Sequence, residues 1–256
     1  MDLFAFNENS VGVTGMVSET KSGNVLDRIV EARRASVAHR KRVLPEAVLR
    51  MGVGKAEPVR DFPGALTRDG LNIIAELKKA SPSRGVLREE FDAATLAAEL
   101  EQAGAAALSV LTEEECFQGD LNYLRQARKR VAVPVLRKDF IIDPWQIWES
   151  RATNADSFLL IVAALTQESL QSFLALGREL GMEPLVEVHS SAELDRALAA
   201  DARIIGVNNR DLRTLEVRVE TSYELIELIP DERLAVAEFY RWNHFYYRYV
   251  AEVTAH

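Results

Sequence analysis

The chain has 256 residues, of which 48% are hydrophobic and 27% charged, a balance typical of a folded globular protein. Its formal net charge of −8 speaks against a nucleic-acid partner, because the binding of phosphates needs a basic face. The single cysteine, Cys116, excludes an intrachain disulfide and a cysteine zinc cluster, and the histidines lack metal-ligand spacing, so we expect no metal.

The N-terminal part of the chain reads as an extension followed by a helix. Residues 1–21 lack a basic start, so we expect a poorly ordered extension rather than a signal peptide. Apolar residues then recur at helical spacing from Val25 to Arg42, which predicts an amphipathic helix. No run in the chain approaches the roughly 18 apolar residues that cross a bilayer, so we expect a cytoplasmic protein that does not bind a membrane.

From residue 72 onward, short apolar runs alternate with helical stretches. Each repeat has roughly the length of one βα unit, which predicts a parallel sheet covered by helices. The runs are 72–77, 106–111, 133–137, 157–162, 184–188, 203–207 and 234–237. The first run lacks the glycine fingerprint of a dinucleotide-binding sheet, and the GVGK at 52–55 follows no strand, so it is not a phosphate loop. We therefore predict an α/β fold of the (β/α)8 TIM-barrel type with an extra N-terminal helix, rather than a doubly wound sheet.

Ionisable side chains cluster where these strands end, which is where barrel enzymes build their active sites. Side chains two residues apart lie on the same face of a strand. This rule predicts that six charged residues, three of each sign, point into the barrel mouth: Lys78, Lys138, Arg210, Glu76, Glu187 and Glu238. Such a set offers proton donors and acceptors, and the alternative is a structural ring of salt bridges. By the same rule Arg137 and Asp139 face the helices and have a structural role.

Five motifs, in this order and spacing, make the chain resemble the indole-3-glycerol-phosphate synthase family. They are IAELKKASPSRG (74–85), LSVLTEE (108–114), LRKDFI (136–141), GMEPLVEV (181–188) and GVNNRDL (206–212). The resemblance covers residues 22–238 and implies a lyase of tryptophan biosynthesis. Such an enzyme converts 1-(2-carboxyphenylamino)-1-deoxyribulose 5-phosphate by ring closure, decarboxylation and dehydration, and it uses no metal and no organic cofactor.

The resemblance also implies catalytic roles for five residues. Lys138 matches the general acid that protonates the substrate carbonyl, and Lys78 matches the lysine near the anthranilate carboxylate. Glu76 and Glu187 match the carboxylates of the later proton transfers, and Asn208 matches the amide that orients the substrate. The division of acid and base steps between the two lysines stays open.

Five further positions match substrate-binding residues of the family. Three are polar and two are aromatic residues that pack against the substrate ring: Ser81, Arg210, Glu238, Phe117 and Phe140. The implied partner is therefore a small phosphorylated molecule.

Residues 239–256 depart from the family. Seven of the 11 residues from Phe239 to Tyr249 are aromatic, and the 18 residues are too few for a seventh helix, an eighth strand and an eighth helix. We therefore expect a barrel that lacks its last strand and helices, with an incomplete phosphate site and weakened activity. Its open sheet edge predicts a monomer or weak self-association.

Several alternatives remain. The C-terminal segment is explained by a shifted reading frame, by a recombined end, or by an aromatic segment with its own function. An inactive truncated barrel would at most bind a ligand or a partner. A barrel enzyme of the aldolase type would instead form a Schiff base through Lys138 or Lys78.

Overall fold

The computed structural model describes residues 24–82, 84–210, 219–239 and 250–254. Its α-helices are α1 (Val25–Val43), α2 (Glu46–Val53), α3 (Phe62–Ala65), α4 (Ala93–Gln102), α5 (Leu121–Arg130), α6 (Pro144–Ala152), α7 (Gln167–Glu179), α8 (Ser191–Ala199) and α9 (Val219–Ile226). Its strands are β1 (Ile73–Leu77), β2 (Ala80–Ser81), β3 (Gly85–Val86), β4 (Ala107–Leu111), β5 (Val135–Lys138), β6 (Ser157–Ile161), β7 (Leu185–Val188), β8 (Ile204–Asn208), β9 (Leu234–Phe239) and β10 (Val250–Thr254). A short 3-10 turn, Val162–Ala164, follows β6.

Within the described residues, eight strands close into a barrel in the order β1, β10, β9, β8, β7, β6, β5 and β4. All neighbouring pairs in this ring are parallel. Strands β2 and β3 form a separate antiparallel hairpin directly after β1. The predicted barrel class, the extra N-terminal helix and the seven predicted strands are confirmed.

The expectation that the barrel lacks its last strand is wrong. Strand β10 lies between β1 and β9, and Ala251 is the register partner of both Ile73 and Ala237. Two physical reasons favour this pairing. The segment VAEVT is rich in β-branched residues, and its backbone satisfies the hydrogen-bonding groups that an open edge would leave unpaired.

Closure of the ring also bears on self-association. Among the described strands, β1 and β9 no longer present the open edge through which self-association was expected. The predicted absence of the last helices and of the phosphate loops depends on residues 240–249 and 255–256, which lie outside the described residues. The predicted extension at 1–21 lies outside them as well.

The helices begin where polar side chains can accept the first backbone N–H groups. The Asn24 side chain accepts from the Asp27 N–H before α1, and Asp92 does the same for α4. Helix α6 starts with a capping box in which Asp143 and Gln146 each bond to the other's backbone. Helices α2 and α3 were not predicted from the sequence, because α2 is short and α3 is a single turn.

Alternation along the strands separates two apolar layers. Inward residues such as Ile74, Leu136 and Leu185 fill the barrel, whereas Val110 and Val135 pack against the surrounding helices. The inner layer ends before the carboxyl ends of the strands, so the next inward positions are open to polar side chains. None of the helices in the described residues is both long and apolar enough to cross a membrane.

Candidate active site

The carboxyl ends of five strands hold five of the predicted site residues. Each lies on the inward face, two residues or more beyond the apolar interior of its strand: Glu76, Lys138, Glu187, Asn208 and Glu238. Four of them are nearly inaccessible to solvent, and the Lys138 side chain is 16% exposed. The strand pattern therefore places these groups around one mouth of the barrel.

Two lysines and two glutamates form a continuous chain of ion pairs. Lys78 Nζ lies 2.6 Å from Glu76 Oε1, and Lys138 Nζ lies 3.0 Å from Glu76 Oε2. Lys138 Nζ also donates to Glu238 Oε2 at 3.2 Å. Glu76 thus bridges two ammonium groups, and Lys138 bridges two carboxyl groups, so a proton can be donated or accepted at several neighbouring atoms.

The charge of Glu76 is maintained by these lysines. Burial alone would raise the pKa of the Glu76 carboxyl, because a low-polarity surrounding disfavours the anion. The charges of Lys138 and Lys78, together with their hydrogen bonds, outweigh burial and hold this pKa well below its usual range. Glu76 is therefore held as an anion by the two lysines.

Glu187 and Glu238 make a second contact across the mouth. The Glu238 side chain lies beside the Glu187 carboxyl group and contributes to a lowering of the pKa of Glu187. Burial raises the pKa of Glu187, but bonding to His189 and the charge of Lys138 bring its pKa below the ordinary value. Glu187 is therefore held as an anion although it is buried beside a second carboxyl group.

His189 completes this part of the site, and the sequence analysis missed it. Its Nε2 lies 3.1 Å from Glu187 Oε1, and its Nδ1 lies 3.2 Å from Glu193 Oε2. Burial lowers the pKa of His189, but the two carboxylates outweigh burial and raise it to about 10. The signal was available, because His189 comes two residues after Glu187 and shares its face.

The remaining polar residues flank this chain of ion pairs. Asn208 is the register partner of Glu238, and its Oδ1 accepts from the Arg210 N–H at 3.0 Å, which fixes the amide plane. Ser81 is buried in the hairpin that follows β1. Arg210 is half-buried just after β8. Their roles toward a substrate stay predictions.

Phe117 and Phe140 form an aromatic wall beside the mouth. Their ring centroids lie 6.3 Å apart, with an angle of 36° between the planes. Phe140 belongs to the same apolar cluster as Leu26, Ile29 and Val30 of α1, and Phe117 packs against that cluster. Helix α1 therefore closes this side of the barrel, a placement that its local sequence does not predict.

A buried carboxylate holds the loop that carries Phe117. Glu113 accepts from the backbone N–H groups of Glu115, Cys116 and Phe117 at 3.1, 2.7 and 3.1 Å. The turn closes at Gly119, where an added Cβ would lie 2.6 Å from the Leu111 carbonyl oxygen. The aromatic wall is thus positioned by a rigid turn.

Behind β5, a second charged cluster faces away from the mouth. Arg137 Nη2 lies 2.9 Å from both Asp139 Oδ2 and Glu149 Oε2. Arg33 of α1 pairs with the same Asp139 oxygen, and Arg40 pairs with Glu149. As the alternation rule predicts, these residues lie outside the barrel, where they tie α1 to the loop after Lys138.

The residues of this site lie within a segment that matches a known protein family. The family model for indole-3-glycerol phosphate synthase matches residues 26–239. The chain belongs to the indole-3-glycerol-phosphate synthase family. All ten predicted site residues lie inside the matched range, whereas strand β10 lies beyond it.

Curated members of the family are similar over most of the chain. The indole-3-glycerol phosphate synthase of Chloroherpeton thalassium is 50% identical over 220 residues, which cover 83% of this chain and 84% of that protein. The corresponding protein of Paracidovorax citrulli is 45% identical over 223 residues, with 84% of each chain covered.

Solved structures with low identity show the same fold. An N-acetylmannosamine-6-phosphate 2-epimerase from Clostridium perfringens superimposes with a TM-score of 0.55 at 13% identity, covering 78% of this chain and 92% of that chain. A 4-hydroxy-2-oxoglutarate aldolase gives a TM-score of 0.52 at 17% identity, covering 75% and 88%. Both likenesses concern the architecture alone.

Proposed function

We propose that this chain catalyses the indole-3-glycerol phosphate synthase reaction. The substrate, 1-(2-carboxyphenylamino)-1-deoxyribulose 5-phosphate, loses carbon dioxide and water as the indole ring closes. The observation that carries the proposal is the Lys138 ammonium group, held between Glu76 and Glu238 in the mouth of the barrel. The aromatic wall of Phe117 and Phe140 offers an apolar surface for the anthranilate ring beside it.

Ring closure needs an acid at the ketone oxygen. The aromatic carbon that bears the carboxylate attacks the ketone carbon, and the carbonyl electron pair moves to oxygen. We assign Lys138 to donate a proton to that oxygen, because a fixed cation at a developing oxyanion lowers the barrier. Glu76 and Glu238 hold the ammonium group in place through its contacts of 3.0 and 3.2 Å.

Decarboxylation then restores the aromatic ring. The bond between the ring carbon and the carboxylate breaks, its electron pair enters the ring, and carbon dioxide leaves. We assign Lys78 to bind this carboxylate before the bond breaks. Lys78 is buried and ion-paired with Glu76, so its charge is available close to Lys138 without exposure to bulk water.

Dehydration requires an acid and a base on either side of one bond. The hydroxyl group formed from the ketone leaves as water after it takes a proton, and a base removes a proton from the adjacent carbon to form the double bond. We assign Glu187 as this base, since its pKa lies below the usual value despite burial. Lys138 has by then given its proton to the ketone oxygen, so we assign the neighbouring Lys78 ammonium group, 2.6 Å from Glu76 Oε1, as the acid.

The test of this proposal is the formation of indole-3-glycerol phosphate by the purified chain. We expect fluorescence of the indole product to rise with time when the substrate is added, and carbon dioxide to be released in equal amount. A second chain, in which residues 240–256 are exchanged for the end of the Chloroherpeton thalassium relative, tests the expected weakness of phosphate binding. The exchange is expected to lower KM more than it changes kcat, because phosphate contacts bind the substrate and the transition state alike.

The outcomes separate the possible functions. If neither chain forms indole-3-glycerol phosphate, the proposed activity is overturned, and what remains is an inactive barrel that at most binds a ligand. A Schiff base forms from an uncharged amine. The contacts of Lys78 and Lys138 with Glu76 are instead ion pairs of ammonium groups. We therefore expect no covalent adduct when borohydride is added with a ketose phosphate, and an adduct on either lysine would contradict the assignment.

A further inference from the structure

Both ring nitrogens of the largely buried His189 lie close to a carboxylate. Nε2 lies 3.1 Å from Glu187 Oε1, and Nδ1 lies 3.2 Å from Glu193 Oε2. A neutral imidazole has one N–H group, so one of the two contacts would set a lone pair against a carboxylate oxygen. The Nδ1 contact is a hydrogen bond, whereas the Nε2 contact is a close approach to the charge of Glu187. Two carboxylates this close favour the imidazolium over the neutral ring.

The second carboxylate is itself fixed. Glu193 lies in the first turn of α8, and its N–H donates to the Ser190 hydroxyl at 3.3 Å. Its Oε2 also accepts from the His189 backbone N–H at 2.9 Å. Glu193 therefore holds the ring of His189 from the side opposite Glu187, which sets the direction in which Nε2 points.

We propose that His189 is a positioning residue whose permanent positive charge keeps Glu187 ionised and oriented for proton transfer. The inference rests on the proposed function, because it gives Glu187 the role of a base. His189 acts through Glu187 and is not assigned a contact with the substrate.

The surroundings of Glu187 show why such a cation is needed. Glu238 approaches from β9 with a second carboxyl group, and Lys138 approaches from β5 with a positive charge that it also shares with Glu76. Two buried carboxyl groups in contact tend to share a proton, which would neutralise the base. A cation that contacts Glu187 opposes this tendency, since it favours the anion on Glu187.

The same arrangement recurs on the other side of the mouth. Glu76 is kept ionised by two lysines, one of which follows it by two residues on the same strand face. His189 likewise follows Glu187 by two residues. Each of these carboxylates thus has its own cation at the next inward position of its strand.

The experiment compares the pH dependence of kcat for the wild-type chain, H189Q and H189K, all with the ribulose phosphate substrate. H189Q removes the charge, so the pKa of Glu187 rises and the acid limb of the profile moves to higher pH, by about one unit or more. H189K restores a cation and is expected to return the limb most of the way. KM should change less than kcat, because His189 is not assigned to substrate binding.

A third variant removes the charge of Glu193, the second carboxylate beside His189. E193Q leaves His189 with one carboxylate, so the imidazolium loses its proton at a lower pH than in the wild-type chain. We expect the alkaline limb of kcat to move to lower pH, while the acid limb stays in place. The matched control is H39Q, the same substitution as H189Q at an exposed histidine of α1, and it should leave both limbs unchanged.

Two results would overturn the inference. One is an acid limb that stays in place in H189Q although melting shows the variant is folded. The other is an H189K profile identical to that of H189Q. Failure of the proposed function is seen separately, as a wild-type chain without turnover. In that case the nitrogen NMR shifts of His189 decide the electrostatic part, because a neutral ring at about pH 8 contradicts a permanent cation.

Discussion

Strand β5 ends with two adjacent basic residues that lie in opposite surroundings. Lys138 points into the barrel and pairs with Glu76 and Glu238, whereas Arg137 points outward and pairs with Asp139 and Glu149. Both clusters consist of buried charges in close contact. Burial and ion pairing therefore do not distinguish a catalytic group from a structural one, and the direction of the side chain relative to the barrel mouth does.

The two cations also differ in how completely they are bound. The Arg137 guanidinium donates to Thr112 Oγ1, to the Gln146 carbonyl oxygen and to Ser150 Oγ, each at 3.0 Å, besides its two carboxylates. Four of these contacts are hydrogen bonds and the approach to Glu149 is an ion pair, and together they lock a planar group. Lys138 instead has a point charge on a flexible stem and reaches the mouth, where its proton can be transferred. Strand alternation assigns each residue type to the face that suits it.

The largest effect is expected when the inner cation is removed. K138M keeps the length of the side chain but deletes the proposed acid, so kcat should fall by about a thousandfold, within the range found for general acids. The rate of indole formation measures this loss, and urea unfolding checks that the variant is folded. Substantial activity in a folded K138M chain would transfer the acid role to another group, with Lys78 as the first candidate.

Removal of the outer cation should lower the stability of the fold much more than the activity. R137M leaves Asp139 and Glu149 buried beside fewer cations, and loss of one partner of such a pair costs about 3–5 kcal/mol of unfolding free energy. We expect the urea midpoint to fall sharply, while kcat per folded molecule falls far less than in K138M. A stable but inactive R137M chain would place the outer cluster in the catalytic machinery and end the distinction between the two faces of β5.

The two regions should also respond to pH in opposite directions. Burial raises the pKa of Asp139, but Arg137 and Arg33 outweigh it and lower that pKa, so its stabilisation exists above the unfolded pKa and is lost as the pH falls through the folded one. His189 has a raised pKa of about 10, so its stabilisation is present below its unfolded pKa of about 6.5 and is lost as the pH rises toward 10.

Urea midpoints measured across this range test both signs. The wild-type chain should lose at most about 1.4 kcal/mol per pH unit from His189 on the alkaline side, and H189Q should flatten that slope. D139N should flatten the acid side instead. If H189Q and the wild-type chain share one alkaline slope, His189 is not charged in the folded state.

The sequence predicted the parts of the site that depend on regular alternation. A period of two, applied at strand ends, put Glu76 and Lys138 inside and Arg137 outside, because backbone geometry leaves little choice once the strand is assigned. The same rule would have found His189, but the histidines were considered only as metal ligands.

Other features depend on tertiary contacts that no local pattern contains. Helix α1 was predicted, yet its position beside Phe140 follows from ion pairs such as Arg33 with Asp139, which lie far apart in sequence. Strand β10 was not predicted, because the expectation for residues 239–256 came from their difference from the family sequence. A ring of parallel strands requires a partner for β1 and β9, and a five-residue segment with three β-branched residues supplies it.

The smallest expected effect tests how finely the inner cluster is positioned. In β8, a Cβ added at Gly206 would lie 2.8 Å from Glu238 Oε1 and 3.3 Å from Leu185 Cδ1. G206A should therefore push the flexible carboxyl end of Glu238 away from Lys138 at little cost in stability. We expect kcat to fall by about tenfold, because small displacements of catalytic groups are costly, with the urea midpoint nearly unchanged.

The matched control is G52A, in which the new Cβ meets Ala152 Cβ at an ordinary 3.5 Å. This position lies inside helix α2, so alanine should raise the unfolding free energy by about 0.5–1 kcal/mol and leave kcat unchanged. If G206A loses stability but keeps its activity, Glu238 tolerates displacement. In that case Glu76 alone would hold Lys138, and the inner cluster would need only one of its two carboxylates around the proton donor.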